Sequence, residues 1–201
     1  MNKKLTLPQT IIITVFCIMM ILAIFNMPQL GIFSIGVSAL FVVIATLSDS
    51  KGIFISIAMV ILGLVLFIKP IYIFDICLNF VIPGIIIGMI TKNVLNHRED
   101  NKYNPIFMGT IAFIIGLIAN YLISKYLFNI NILEEFTSVM KTQLSTQISA
   151  IQESVSSLAS VSNITEESII QTVLNIMPLI LFSRSIMLSI LTYFLAIYTL
   201  K

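Results

Sequence analysis

The 201-residue sequence has few of the side chains that carry most catalytic and metal chemistry. It contains no tryptophan, one histidine and two cysteines, and only 10% of its residues are charged, against about 25% in soluble domains. A metal site needs three or four ligands at short spacing, which one histidine and two separated cysteines do not supply. Cys17 and Cys77 each lie inside an apolar run, where a thiol behaves as a small hydrophobic group. The sequence therefore predicts neither a metal site nor a disulfide.

Charge and motifs exclude further classes of protein. The formal net charge is +2, so no strongly basic domain points to a nucleic-acid partner. There is no glycine-rich phosphate loop, so an ATP-driven function would need a separate ATPase. His97 lies near Glu99 and Asp100, but no nucleophile in the sequence context of a known hydrolase accompanies it. We expect no catalytic residues, no cofactor and no enzymatic activity.

Apolar residues are what the sequence has in abundance. They make up 58% of the chain, and the mean hydropathy is +1.07, which excludes a soluble enzyme. One bilayer crossing takes about 20 apolar residues, and polar residues, prolines and glycines interrupt the apolar stretches. The prediction is an all-α membrane protein in which residues 1–201 form a single integral membrane domain with about six transmembrane helices and one amphipathic extramembrane helix. The predicted crossings are residues 8–25, 30–47, 53–68, 71–90, 105–124 and 176–200.

Lysine and arginine predict the orientation of these crossings, because a positive excess in short loops stays in the cytoplasm. With the amino terminus inside, seven basic residues fall in inner segments and three in outer ones. The inner residues are Lys3, Lys4, Lys51, Lys92, Arg98, Lys102 and Lys201, and the outer ones are Lys69, Lys125 and Lys141. We therefore expect a multi-pass protein of the cell membrane with both termini in the cytoplasm.

Residues 130–161 differ from the rest in being rich in serine, threonine and glutamine. Their apolar residues nevertheless recur every three or four positions: Leu133, Phe136, Met140, Leu144, Ile148, Ile151, Val155 and Leu158. This spacing predicts one stripe along an outer amphipathic helix. The polar side lacks the basic face that anchors helices to anionic lipid. The stripe packs on the protein's own crossings, binds a partner or second copy, or lies shallowly in the membrane. Its candidate interaction residues are Phe136, Met140, Leu144, Ile148, Ile151 and Val155.

Two charged residues, Asp75 and Arg184, fall inside predicted crossings. Such charges are costly in the bilayer and usually face a partner, a cavity or an interface. Asp75 lies about 6 Å and Arg184 about 12 Å from the outer ends of their helices at 1.5 Å per residue, a difference that a long arginine side chain can bridge. In one interpretation Arg184 reaches the interface alone or pairs with Asp75 only to hold two helices together. In the other, a pocket open to the outside binds a small polar solute through Asp75, Asn79, Asn120, Tyr121 and Arg184.

Small residues mark predicted sites of close helix packing. Gly84 and Gly88 form a G-x-x-x-G step in the fourth crossing, and Gly109 and Gly116 lie on one ridge of the fifth. Such ridges let two helices approach closely. They pack within the chain or dock another membrane subunit.

The last 70 residues carry a resemblance to a known family. Its features are the Asn-Ile-Leu-Glu-Glu stretch from Asn131, the helix start at Thr165-Glu-Glu-Ser, and an apolar helix from Met177-Pro178 to Tyr193-Phe-Leu-Ala196. Here the chain resembles the YybS-type bacterial membrane proteins of unknown function, and over the first 125 residues it is similar to them in helix number and spacing. That family is similar in architecture to the S components of energy-coupling-factor vitamin transporters.

Two functional hypotheses follow. The resemblance implies a small-solute-binding, S-component-like transporter subunit, whose partners would be a transmembrane coupling subunit and ATPases. The alternative is a non-catalytic membrane scaffold that interacts with other proteins through its outer amphipathic helix.

Overall fold

The computed structural model describes residues 4–96, 101–154 and 166–200, with the side chains of α7 described up to residue 143. These residues form helices and no strand, and five of the helices are long and apolar enough to cross a membrane, which confirms the all-α membrane class. The helices are α1 (Leu7–Asn26), α2 (Ser34–Leu47), α3 (Ser50–Val65), α4 (Pro70–Ile76), α5 (Ile82–Asn96), α6 (Asn104–Leu127), α7 (Ile132–Ser154) and α8 (Glu166–Leu200). A 3₁₀ segment, Pro28–Phe33, precedes α2. Of the residues considered above, Lys3, His97, Arg98, Glu99, Asp100, Val155, Leu158, Thr165 and Lys201 lie outside the described part of the chain.

Some helices differ in length from the predicted crossings. A π-helical turn, Cys77–Val81, joins α4 and α5 into one apolar span of 27 residues, Pro70–Asn96. The third predicted crossing, residues 53–68, corresponds to α3, which has 16 residues. Its length is about 24 Å at 1.5 Å per residue, below the roughly 30 Å of the hydrocarbon core. Helix α8 begins ten residues before the predicted sixth crossing and passes through Pro178.

The chain divides into two compact units. The first contains the residues up to Asn120 and those from Ser183 onwards. Its first two helices form an antiparallel hairpin, in which the Leu5 N–H donates to the Leu47 carbonyl at 3.1 Å. Helix α3 runs parallel to α1, and the Thr14 hydroxyl donates to the Ser56 hydroxyl at 2.9 Å. Buried hydroxyl groups thus link α1 to α3, as is common between helices in lipid.

Four glycines bring helices of the first unit into close contact. A Cβ atom added at Gly84 would lie 2.6 Å from the Ser38 carbonyl oxygen, and one at Gly88 would lie 2.6 Å from that of Val42, so α5 packs directly on the backbone of α2. A Cβ at Gly109 would lie 2.6 Å from the Ile87 side chain, and one at Gly116 would overlap the Leu78 carbonyl. All four glycines are buried against helices of the same chain.

The two described ends of the chain lie at the same end of the first unit. Leu5 and Leu200 both pack against one buried cluster, which consists of Ala39, Val42, Val43, Ile87, Phe113 and Ala196. We call this the terminal end. At the opposite end, α1 finishes and α2 and α4 begin, as the antiparallel hairpin and the parallel packing of α2 on α5 require.

The second unit contains residues Tyr121–Phe182. Asn129 turns the chain after α6 with a φ of 55°, a conformation that asparagine tolerates better than most residues. At the start of α7 the Asn131 side chain donates to Glu134 at 2.7 Å. Phe136 is exposed and Met140 is half-buried. The side chains of Leu144, Ile148 and Ile151 lie outside the described set, so the full stripe stays a prediction.

Candidate functional site

A cavity of about 430 Å³ opens in the first unit, at the end opposite the chain termini. Its volume lies in the range of small-molecule sites, roughly 300–1,000 Å³. The wall comes from α1, the 3₁₀ segment, α2, the α4 span and α8. It consists of Ile21, Ile24, Phe25, Gly31, Ser34, Val37, Tyr72, Asp75, Ile76, Phe80 and Arg184. A mostly apolar wall with a few polar groups is typical of a ligand site.

Local backbone chemistry shapes the helix that carries the acidic residue. Pro83 has no N–H, and its ring would meet the carbonyl of the residue four positions earlier, Asn79, in a regular α-helix. The preceding turn is instead π-helical, and the Ile82 N–H bonds to the carbonyl of Cys77, five residues back. Single π-turns inside α-helices are frequent at functional sites. This turn begins two residues after Asp75 and contains Asn79.

Asp75 is held by two asparagine side chains. Its Oδ1 accepts hydrogen bonds from Asn79 Nδ2 at 2.6 Å and from Asn120 Nδ2 at 2.7 Å. Asn79 is one helical turn away on the same span and is buried, whereas Asn120 comes from α6. The network therefore ties two helices together and fixes the carboxylate at the cavity wall.

Arg184 supplies a positive charge to the same cavity from α8. It interacts electrostatically with Asp75, yet the two do not close into a salt bridge. Among the described residues the only ion pair within 4 Å joins Lys4 to Asp49, at 3.9 Å. The cavity thus has an acidic and a basic group on its wall, neither of which neutralises the other by direct contact.

Aromatic side chains form part of the remaining wall. The rings of Phe25 and Tyr72 meet edge to face, with centroids 5.4 Å apart and an interplanar angle of 62°. This arrangement is favourable for aromatic pairs. It joins the end of α1 to the start of α4, and both rings line the same cavity as Asp75 and Arg184.

The five candidate ligand residues have different places in the structure. Asp75 and Arg184 line the cavity, while Asn79 and Asn120 brace Asp75 without being part of the wall. Tyr121 belongs to the second unit, where Lys125 Nζ lies 5.8 Å from its ring centroid.

The sequence patterns do not predict the apolar wall. Phe25, Gly31 and Tyr72 lie at or beside interruptions of the apolar stretches, where the sequence pattern predicts only that a helix ends or begins. The usable signal is topological: with alternating crossings, the break after α1 and the Lys69-Pro70 turn fall at the same end of the bundle. Residues flanking those two interruptions are therefore expected to be neighbours.

Comparison with curated proteins and with solved structures gives no match. A family model, described as a predicted membrane protein (DUF2232), matches residues 12–201. This match confirms the broader expectation of a membrane-protein family, whereas the YybS-type name and the likeness to S components stay predictions. Because the match covers nearly all of the chain, including every residue that lines the cavity, the protein belongs to the DUF2232 family of predicted membrane proteins.

Proposed function

We propose that this protein binds a small polar solute in the cavity described above. The observation that carries the proposal is the presence of Asp75 and Arg184 on one cavity wall without a salt bridge between them. Charged side chains within a membrane domain are costly and usually mark a binding site or a pathway.

The geometry supports a ligand site over a purely structural pair. A pair that only held two helices together would gain most from direct contact. The attraction between two charges grows as they approach, and it is strongest where the dielectric constant is low. Here two asparagines fix Asp75 instead, and Arg184 stays exposed at the cavity. Binding groups fixed before the ligand arrives lose less entropy when it binds.

The wider role that we propose is that of a substrate-binding transporter subunit. What supports it is the resemblance to S-component-like proteins, together with a cavity at one end of a helical bundle. Coupling to a transmembrane partner and ATPases is part of this proposal, since the sequence has no phosphate-binding loop of its own.

A thermal-shift screen of the detergent-purified protein against vitamins, nucleobases and amino acids tests solute binding. A ligand at 100 times its dissociation constant should stabilise the protein by roughly 2.7 kcal/mol. The Arg184→Gln variant should lose this shift. The matched control is Lys69→Gln, which removes the same charge at an exposed position just before α4 and outside the cavity wall.

Two results would contradict the proposal. One is the absence of a shift with every compound in protein shown to be folded and monodisperse. The other is a shift that persists in both Arg184→Gln and Asp75→Asn, because the bound compound would then lie outside this cavity.

A further inference from the structure

We infer that the solute is a small zwitterion with an apolar body, the chemistry of an apolar amino acid. This inference rests on the proposed function and adds the class of ligand. Asp75 would bind the cationic group and Arg184 the anionic group, while the apolar body would lie against the aromatic and aliphatic wall.

On the acidic side of the cavity, Asp75 can accept a hydrogen bond from one more group. Both asparagine amides donate to the same oxygen of Asp75, Oδ1. An ionised carboxylate has two acceptor oxygens, so Oδ2 remains for a ligand. An ammonium group is the matching partner, because it donates several hydrogen bonds and carries the opposite charge.

On the basic side of the cavity, Arg184 can bind an anionic group. A guanidinium carries five N–H donors in a planar fork that fits a carboxylate with two parallel hydrogen bonds. No carboxylate among the described residues lies within 4 Å of Arg184. A single carboxylate on the ligand would fill this position.

The two charges together restrict the net charge of the ligand. A purely anionic solute would pair with Arg184 but place its negative charge near the half-buried Asp75 carboxylate, and a purely cationic solute would pair with Asp75 but place its positive charge near the Arg184 guanidinium. Like charges repel, and the repulsion is stronger beside an apolar wall than in water. Only a molecule with both signs pairs each group without leaving a net charge in the cavity.

The apolar wall restricts the rest of the ligand. Ile21, Ile24, Phe25, Val37 and Phe80 contribute side chains without any hydrogen-bonding group. The hydroxyl groups of a sugar would lose their water there without replacement, which is costly. The cavity therefore selects an aliphatic or aromatic body rather than a polyhydroxylated one.

The inference is tested with two series of compounds. Within each series the apolar body is the same, and one or both charged groups are missing from the analogues of the amino acid. The aromatic probes are phenylalanine, phenethylamine, 3-phenylpropanoate and 2-phenylethanol, and the aliphatic ones are leucine, isopentylamine, 4-methylpentanoate and isopentanol. Dissociation constants are measured by calorimetry on the full chain in detergent. On at least one body, the zwitterion should bind at least ten times more tightly than each of its three analogues.

Variants assign each charge to its partner. In Asp75→Asn the ligand's amino group should no longer add to the affinity, so phenylalanine and 3-phenylpropanoate should bind with similar affinity. In Arg184→Gln the ligand's carboxylate should no longer add to the affinity, so phenylalanine and phenethylamine should bind with similar affinity. Lys69→Gln should keep the preference of the wild type. If a variant does not fold, the series on the wild-type protein still decides the question.

The outcomes separate this inference from the proposed function. A singly charged or neutral analogue that binds as tightly as the zwitterion on both bodies overturns the inference. The inference is also overturned if no compound of the two series binds while the broad screen finds a solute of another class. In that case the proposed function stands. If the screen and the series both fail in folded protein, the inference and the proposed function fail together.

Discussion

Asp75 differs from several threonines of the bundle in where its hydrogen-bond partners come from. Thr91 and Thr110 each donate a hydroxyl hydrogen bond to the carbonyl four residues earlier in their own helix. Such local bonds satisfy a polar group in lipid without the help of another helix. Asp75 instead accepts one hydrogen bond from Asn79 of its own span and a second from Asn120 of α6. Its position therefore rests on tertiary structure, and it should be sensitive to changes in a distant part of the sequence.

Replacement of Asn120 by leucine should destabilise the protein. The change removes one donor from a carboxylate inside the helical bundle, and hydrogen bonds to charged groups contribute about 1.5–3 kcal/mol. We expect the free energy of unfolding in detergent to fall by about that amount. Asn26→Leu is the matched control, because the exposed Asn26 side chain donates only to the Leu22 carbonyl of its own helix. Equal losses in the two variants would contradict a bridging role for Asn120.

At the scale of helices, direct backbone contact decides which helices pack most closely. Helix α5 lies so close to α2 that glycine is the residue that fits at Gly84 and Gly88. The 3₁₀ segment near the cavity has the opposite property: a Cβ added at Gly31 meets no atom within 4 Å. Glycines at the two places therefore have different roles, one in packing and one at an open wall.

The substitution Gly88→Ala should cost about 1–3 kcal/mol of stability, the usual range for overpacking. The added carbon would lie 2.6 Å from the Val42 carbonyl oxygen and from Ala45 Cβ, so the helix backbones must move apart. The control Gly31→Ala should change stability by less than about 1 kcal/mol. Chemical or thermal unfolding of both variants provides the measurement. A Gly88→Ala protein as stable as the wild type would refute the close contact of α2 and α5.

The hydroxyl link between α1 and α3 can be measured with a double-mutant cycle of Thr14→Val and Ser56→Ala. Interhelical hydrogen bonds of this kind in a membrane bundle average about 0.6 kcal/mol and reach about 1.7 kcal/mol. We expect a coupling energy in that range. A cycle of Ser56→Ala with Thr110→Val should give no coupling, because the Thr110 hydroxyl bonds within α6. Zero coupling in the first cycle would remove this link from the packing of α1 on α3.

For the whole molecule, the described chain ends and the cavity lie at opposite ends of the first unit. Lys4, Lys51 and Lys92 lie towards the terminal end, where the Lys92 ammonium donates to the Ser48 carbonyl at 2.8 Å. Membrane localisation agrees with the family and the apolar helices. The sequence predicts that the terminal end faces the cytoplasm. In that orientation the cavity opens to the outside, as the proposed capture of a solute requires.

Cysteine labelling tests this orientation. In a background with Cys17→Ala and Cys77→Ala, an Asn26→Cys variant should react with a membrane-impermeant maleimide in intact cells. A Lys51→Cys variant should react only after permeabilisation. Both positions are exposed, and they lie at opposite ends of the first unit, so each serves as the control for the other. The reverse pattern would place the cavity on the cytoplasmic side.

The class of the protein and the approximate positions of most apolar helices follow from the sequence. Hydropathy over about 20 residues, proline and glycine interruptions and the two charges inside apolar segments are local properties. They led directly to the spans and to Asp75 and Arg184 as candidate site residues.

Which residues face one another depends instead on how the helices pack. In lipid an apolar side chain is acceptable on every face of a helix, so the hydrophobic pattern does not report the rotation of the helix. Phe41 is fully buried, whereas Phe54 is 73% exposed, although both lie in uniformly apolar segments. The pairing of Asp75 with Asn120 and the joining of Phe25 to Tyr72 depend on these rotations, on the π-turn before Pro83 and on the packing of separate helices. The cavity and its charge arrangement are for this reason properties of the assembled bundle.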